Sequence, residues 1–326
     1  MVQITSNYVI KILKIASKFA YSVAIMTPLN TPELNIDPGL FAGVDVYAVA
    51  GNPISHSKSP QIHQRFAEQA QQKMHYGRLQ PDLNSFATAA KSFFNAGGKG
   101  MNVTVPFKQD AKVFADVLTP RAQLAGAVNT LWVQEDKVYG DNTDGAGLVR
   151  DLLAQGIALH QSRILLLGAG GAARGVIGPL LEQSPKCLVI ANRSHSKADE
   201  LVKLFADLAA SREVALESRN LLELEDAKTT PYPFDLVINS TAAGLVEESP
   251  LSIQAAANIF VPSSFAYDMV YGKNTTLMQQ ALQRGARVSD GLGMLVEQAA
   301  DAFLLWRGTE LAAVIDPRAV LAKLRT

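Results

Sequence analysis

The stretch Arg163-Ile-Leu-Leu-Leu-Gly-Ala-Gly-Gly-Ala-Ala-Arg-Gly-Val176 reads as a buried strand, a glycine-rich turn and the opening of a helix. Gly168, Gly170 and Ala173 fit the pattern G-x-G-x-x-(G/A). Small residues at those places permit a tight turn, close backbone approach to a pyrophosphate and close packing of helix on strand. Gly168, Ala169, Gly170, Gly171 and Ala172 are therefore the candidate phosphate cradle, with the amides that open the helix facing the anion. Taken alone the pattern also suits an ordinary glycine-rich turn, so its context decides.

A dinucleotide fold places the group that reads the adenosine ribose about 20 residues further on. There Cys187-Leu-Val-Ile-Ala191 forms a second buried-strand run ending in Asn192-Arg193-Ser194, with Lys197 just beyond. The segment carries no Asp or Glu to hydrogen-bond the free ribose hydroxyls of NAD. A guanidinium and an ammonium suit a 2'-phosphate instead, so the expected cofactor is NADP. Two charge-assisted contacts at about 1.5 to 3 kcal/mol each give a preference on the order of a hundredfold to ten-thousandfold.

The chain has 326 residues, beyond the length at which a single core stops growing, which predicts two domains. Apolar residues make up 48% and charged ones 18%, the composition of a globular enzyme. With 30 basic and 30 acidic residues there is no electrostatic footprint for nucleic acid, and any phosphate site must be local. Cys187, the only cysteine, lies in a predicted buried strand, which excludes an intrachain disulfide and a Cys-type zinc site and fits a reducing compartment. The histidines at 56, 63, 75, 160 and 195 are scattered without a ligand pattern, so no metal is expected.

Residues 1–43 have a different composition. A short basic amphipathic helix fits 9–19, where Lys11, Lys14 and Lys18 interrupt an apolar run too short to span a bilayer. The lysines also break the uninterrupted core that a secretory signal needs. Met26 is followed by a Pro-, Thr- and Asn-rich segment and reads as an alternative start. Residues 1–43 are expected to be a disordered or loosely attached extension of a cytoplasmic protein that engages no membrane.

From residue 44 strands and helices alternate. Strands are expected at 45–50, 74–79 and 101–105, and helices from Pro60, with Ser59 as N-cap, and over 83–95. A hairpin over 129–134 and 137–140 closes this mostly parallel sheet. A connecting helix over 145–155 leads to a doubly wound Rossmann-type domain with strands at 163–167, 187–191, 213–217, 234–239, 265–269 and 287–289. The helix over 294–306 and the chain beyond it are expected to return to the first domain. The domain boundaries are thus 44–144 for substrate, joined by 294–326, and 145–293 for cofactor.

Polar residues collect where these strands end, which is where open α/β sheets bind ligands. Ser57 and Ser59 flank a helix N-terminus that favours a carboxylate. Asn102-Val-Thr-Val-Pro-Phe-Lys108 presents Thr104 and Lys108, Ala127-Val-Asn-Thr130 presents Asn129, and Asp141-Asn-Thr-Asp-Gly145 presents Asp144. Singly, Ser59 suits a cap and Asp144 a turn.

These stretches, together with Tyr47-Ala-Val-Ala-Gly-Asn-Pro-Ile-Ser-His-Ser-Lys-Ser-Pro60 and Asp290-Gly-Leu-Gly-Met-Leu-Val296, resemble the blocks of the shikimate dehydrogenase family in order and spacing, from about residue 45 to the C-terminus. The resemblance implies reversible NADPH-dependent reduction of 3-dehydroshikimate to shikimate, a step of aromatic amino acid biosynthesis, by a monomer or homodimer. By position Lys108 and Asp144 are similar to the family's catalytic pair. The resemblance implies substrate contacts at Ser57, Ser59, Thr104, Asn129, Asp144, Tyr271 and Gln298. Its cofactor positions fall on Gly168, Ala169, Gly170, Gly171, Ala172, Asn192, Arg193, Ser194, Lys197, Met269 and Gly291. Pro120 departs from the pattern, standing where some relatives have an acidic residue near the cofactor. Two alternatives stay open: a quinate/shikimate dehydrogenase of the same fold, and a non-catalytic module that binds shikimate or NADP.

Overall fold

The computed structural model describes residues 35–228, 233–246 and 248–326. Its first unit runs β1 (Asp45–Ala50), α1 (Ser59–Gln69), β2 (Met74–Leu79), α2 (Phe86–Asn95), β3 (Gly100–Val103), α3 (Lys108–Phe114), β4 (Val117–Leu118), α4 (Pro120–Ala125), β5 (Thr130–Gln134) and β6 (Lys137–Asp141). The sheet order is β2-β1-β3-β5-β6-β4, parallel except for β5, which runs against both neighbours. That reversal is built by a two-residue hairpin turn, with Glu135 and Asp136 at φ of 51° and 59° as a tight turn matching strand twist requires.

Helix α5 (Asp144–Ala154) leads to the second unit: β7 (Arg163–Leu167), α6 (Gly171–Glu182), β8 (Cys187–Asn192), α7 (His195–Ser211), β9 (Ala215–Asn220), β10 (Leu236–Asn239), α8 (Ile253–Ile259), β11 (Phe265–Asp268), α9 (Thr276–Gln283) and β12 (Arg287–Asp290). All six strands are parallel in the order β12-β11-β10-β7-β8-β9. The chain therefore enters at the middle, winds out through β8 and β9, then crosses back to β10. The resulting switch point lies at the carboxyl ends of β7 and β10, the place where doubly wound sheets hold ligands. Helices cover both faces, which is why Ile164 through Leu167 are buried without alternation.

Helices α10 (Leu292–Arg307) and α11 (Pro317–Arg325) then cross back to the first unit. Val296, Ala299, Ala300 and Phe303 of α10 share an apolar cluster with Ile62 and Phe66 of α1. Trp306 stacks on Tyr47 with centroids 4.8 Å apart and donates its ring N–H to the Leu131 carbonyl at 3.2 Å. Helix α5 is wedged between α6 and α10, and two glycines make that approach sterically feasible. A Cβ on Gly145 would lie 2.3 Å from the Gly175 carbonyl oxygen, and one on Gly147 would lie 2.7 Å from the Gln298 backbone nitrogen.

Most expected elements recur within a few residues, but some details change. Helix α1 begins at Ser59 itself, with Lys58 at the cap position, so Ser59 is the first helical residue rather than the N-cap. Strand β3 ends at Val103 because residues 104–107 turn, and β9 runs on to Asn220. The short segments α3, β4 and α4 carry no sequence period long enough to announce them.

The expected loose extension over 1–43 does not hold as a unit. Residues 1–34 lie outside the described residues, while 35–43 pack on the first sheet. Asn35 bridges Leu79, Ile36 donates its N–H to the Arg78 carbonyl at 3.1 Å, and Phe41 stacks on His75 with centroids 4.2 Å apart. Ile36 is buried in the cluster that also holds Val46, Leu79 and Phe86. The fold thus begins by Asn35 because an edge strand with an apolar face gains from being covered. Ile36→Ala should destabilise the first unit by about 2 kcal/mol; urea unfolding with no loss would mean that the strap contributes nothing.

Candidate active site

Lys108 opens α3 directly after the turn that closes β3, and Asp144 opens α5 after β6. Strands β3 and β6 run the same way on either side of β5 and end at the same edge of the sheet, so Lys108 Nζ donates to Asp144 Oδ2. Both side chains are largely withdrawn from solvent, at 14% and 7% exposure, which strengthens their attraction relative to a surface pair. Asp144 stands in the first turn of its helix, where the dipole favours a negative charge.

The second carboxylate oxygen is held from another direction. Asn129 donates from Nδ2 to Asp144 Oδ1 at 2.8 Å, and the same amide lies 2.9 Å from Thr143 Oγ1 and 3.2 Å from Gln298 Oε1. Its oxygen accepts the Thr143 N–H at 2.9 Å and the Thr130 hydroxyl at 2.9 Å. Gln298 donates back to the Leu295 carbonyl at 2.8 Å, which fixes its amide orientation. Lys108, Asn129, Asp144 and Gln298 therefore form one network spanning α3, the residue before β5, α5 and α10.

Ser57 and Ser59 form a second group. Their hydroxyls lie 3.2 Å apart, both residues are buried, and the Ser59 N–H donates to Ser57 Oγ at 3.2 Å. Tyr271 belongs to the segment after β11 yet packs on the cluster that holds Ile62 and Phe66 of α1, with the Lys58 backbone close to its hydroxyl, so the second unit reaches this end of the site. Thr104 follows β3 with its N–H on the Ala50 carbonyl at 2.8 Å, and no side-chain bond ties it to the other candidates.

Asn102, absent from the expected site, is the hub between the two groups. It donates to Thr130 Oγ1 at 3.2 Å and accepts from Tyr76 at 2.7 Å; His63 Nε2 lies 3.1 Å from the same oxygen. A polar residue inside the apolar run Met101-Asn102-Val103 was its only sequence signal. Arg121 was also missed. It donates from Nε to Asp141 Oδ1 at 2.7 Å and reaches Asp301 at 3.5 Å, contacts that only the tertiary fold creates. Burial would raise the Asp141 carboxyl, but Arg121 and Thr119 outweigh it and hold the pKa below the usual range.

The glycine-rich turn sits opposite Lys108: a Cβ added at Gly171 would lie 3.9 Å from Lys108 Cβ. Gly168 has φ of +106°, a conformation that glycine adopts freely. Nothing lies within 4 Å of where a Cβ on Gly170 would be, which leaves open space over the start of α6. Ala169 is buried beneath the turn, and Ala172 lies in the first turn of α6. Beyond β8, Asn192 donates to the Ser194 carbonyl at 2.9 Å and Asn220 to the Arg193 carbonyl at 3.1 Å, which shapes the loop. Arg193 and Lys197 are exposed and form no ion pair with any described residue. Met269 is hydrogen-bonded through its N–H to the Asn239 carbonyl at 3.0 Å, and Gly291 packs so closely that a Cβ there would lie 2.3 Å from the Met269 carbonyl oxygen. Cradle, open turn and unpaired cations together fit a phosphorylated dinucleotide.

Residues 49–131 match a family model described as the shikimate dehydrogenase substrate binding domain, and residues 151–249 match one described as shikimate / quinate 5-dehydrogenase. A shikimate dehydrogenase (NADP(+)) from Vibrio atlanticus is 52% identical over 268 residues, covering 81% of this chain and 92% of its own. The chain belongs to the shikimate dehydrogenase family. Among solved structures, an Ael1 enzyme from Pseudomonas putida is 42% identical with a TM-score of 0.73, over 86% of this chain and 98% of that one. Shikimate 5-dehydrogenase from Thermus thermophilus, solved with NADP(H) and shikimate, is 31% identical with a TM-score of 0.73, over 86% and 99%. Among the described residues no helix is long and apolar enough to cross a membrane, and no cluster of three or more His, Cys, Asp or Glu side chains is placed to hold a metal ion.

The hub has a measurable signature. Asn102 Oδ1 is an acceptor, so His63 carries its proton on Nε2, and its buried Nδ1 has no partner among the described residues. Burial drives the His63 pKa from 6.5 to about 3, against the smaller opposing pull of the Asn102 bond. The unfolded chain therefore binds a proton first as pH falls. Stability from this residue is complete above about pH 6.5 and is lost toward pH 3, at about 1.4 kcal/mol per pH unit. Urea unfolding at pH 7, 6 and 5 should show a shallower acid slope for His63→Gln than for the parent; parallel slopes would contradict the buried neutral imidazole.

Proposed function

We propose that this chain catalyses the reversible NADPH-dependent reduction of 3-dehydroshikimate to shikimate, the activity named for its NADP(+)-dependent relatives. The observation that carries the reading is the Lys108 and Asp144 pair placed beside the glycine-rich turn that opens α6. Gly168, Gly170 and Gly171 would hold the pyrophosphate, Arg193 and Lys197 the 2'-phosphate, and Met269 and Gly291 the wall beside the nicotinamide. NADPH bound there supplies the hydride.

The chain's own groups do the rest. Lys108 presents a proton at Nζ to the ketone oxygen as negative charge develops there, and Asp144 keeps the ammonium aimed and binds the adjacent ring hydroxyl. Asn129 and Gln298 fix the carboxylate and offer further polar atoms to the ring hydroxyls, with Thr104 beside them. Ser57, Ser59 and Tyr271 receive the substrate carboxylate at the far end of the cleft. Burial of the pair excludes water from the proton path. Retention of both Lys108 and Asp144 favours an enzyme over a silent binding module, and the unpaired Arg193 favours NADP over NAD. The two units carrying these groups are a substrate domain and a cofactor domain joined at α5. The enzyme acts in the cytoplasm as a monomer or homodimer.

Purified protein assayed with shikimate or quinate, each against NADP and NAD, should turn over shikimate with NADP best; equal or greater activity with quinate and NAD would overturn the assignment. Arg193→Ala should raise the KM for NADP about tenfold or more and leave that for NAD nearly unchanged. A similar loss for both would remove the 2'-phosphate role.

A further inference from the structure

Arg78, on β2, is a guanidinium with no carboxylate partner among the described residues. It lies two residues beyond Tyr76, so both side chains project from the same face of the strand, the face on which the His63 ring of α1 stacks against Tyr76 with centroids 4.2 Å apart. Arg78 Nη2 donates to the Ser57 carbonyl at 2.7 Å, and among the described residues its buried Nε has no hydrogen-bond partner. Among the described residues no acidic side chain forms an ion pair with it, whereas Arg121, Arg150, Arg307 and Arg318 all have one. Its surroundings are the residues that end the cleft: Ser57, Ser59 through its bond to Tyr76, and Tyr271, whose ionisation its charge influences. Burial pulls the guanidinium pKa down, which marks a cation that has lost hydration without gaining a counter-ion.

A half-buried cation left unpaired at one end of a ligand cleft is costly unless an anion arrives there. Serine and tyrosine hydroxyls are neutral. They orient a carboxylate, and the N-terminus of α1 adds only a partial positive charge, so strong selection for a full negative charge is served by a full positive one.

We infer that Arg78 is the specificity-determining residue that makes an anionic substituent obligatory, acting on the substrate carboxylate from behind the Ser57 loop. This rests on the proposed function, since it presumes a substrate whose carboxylate lies at Ser57 and Ser59. Arg78 makes no contact with the reacting end, where Lys108 and Asp144 stand, so its effect falls on binding shared by ground state and transition state.

The test compares oxidation of shikimate and of its neutral carboxamide, with NADP, by the parent enzyme, Arg78→Met and Arg78→Lys. Arg78→Met should raise the KM for shikimate by about tenfold to a hundredfold with kcat within about threefold, and leave the KM for the carboxamide nearly unchanged. Arg78→Lys keeps the charge and should recover most of the shikimate KM. Equal losses for acid and amide in Arg78→Met, or no recovery in Arg78→Lys, would reduce Arg78 to a support for the Ser57 loop and overturn the inference. An unchanged KM for shikimate in Arg78→Met would do the same. A parent enzyme inert toward shikimate would instead sink the proposed function, and the inference with it, so the two failures are told apart by the parent alone.

Discussion

The ion pair between Lys108 and Asp144 depends on where one helix can start. Asp144 opens the helix that connects the two units, and that helix is pressed between α6 and α10 at distances only glycine tolerates, through Gly145 and Gly147. The same contacts that join the units therefore fix the position of the carboxylate to within the play of a close-packed interface. Any side chain at either glycine would push backbone against backbone and move Asp144 away from Lys108. Ion-pair geometry and domain geometry are, at this point, one constraint.

From that helix the polar network extends outward in a single direction. Asn129 holds the carboxylate, Thr130 joins Asn129 to Asn102, and Asn102 meets Tyr76 and His63 in the core of the first unit. Such a chain specifies orientations that apolar packing leaves free, because each amide has one rotation in which all its partners are satisfied. Its members sit at 5% exposure or less at Asn102, Asn129 and Thr130, so a broken link leaves a buried group without a partner. Rigidity at the reacting end is thus supplied from the interior of the substrate sheet rather than from the cleft surface.

Much of this was legible in the chain itself. The run at 163–176 announced strand, turn and helix because glycines interrupt an otherwise continuous apolar pattern, and the missing acid after β8 pointed to NADP, the cofactor named for the relatives. Lys108, Asn129 and Asp144 stood at strand ends in recognisable blocks. What stayed hidden depends on distance in sequence. Arg121 meets Asp301 across 180 residues of chain, and Ile36 covers β2 from a segment whose composition reads as a linker. Ser59 looked like a helix cap because Ser before Pro usually is one, but Lys58 takes that place, with a helical backbone of φ −87° and ψ −3° and no side-chain cap bond. Arg78 carried no local signal either, since an arginine on a strand becomes informative only once its lack of a counter-ion among the described residues is seen.

The central claim is that Lys108 and Asp144 act as one catalytic unit, and a double-mutant cycle on steady-state shikimate oxidation tests it most directly. Lys108→Ala should lower kcat by about a hundredfold to ten-thousandfold with a much smaller change in KM. Asp144→Ala should lower kcat and raise KM more, because it also binds a ground-state hydroxyl. The double variant should be far less impaired than the product of the two single losses. Near-normal kcat in Lys108→Ala with only a raised KM, or losses that simply multiply, would contradict the account.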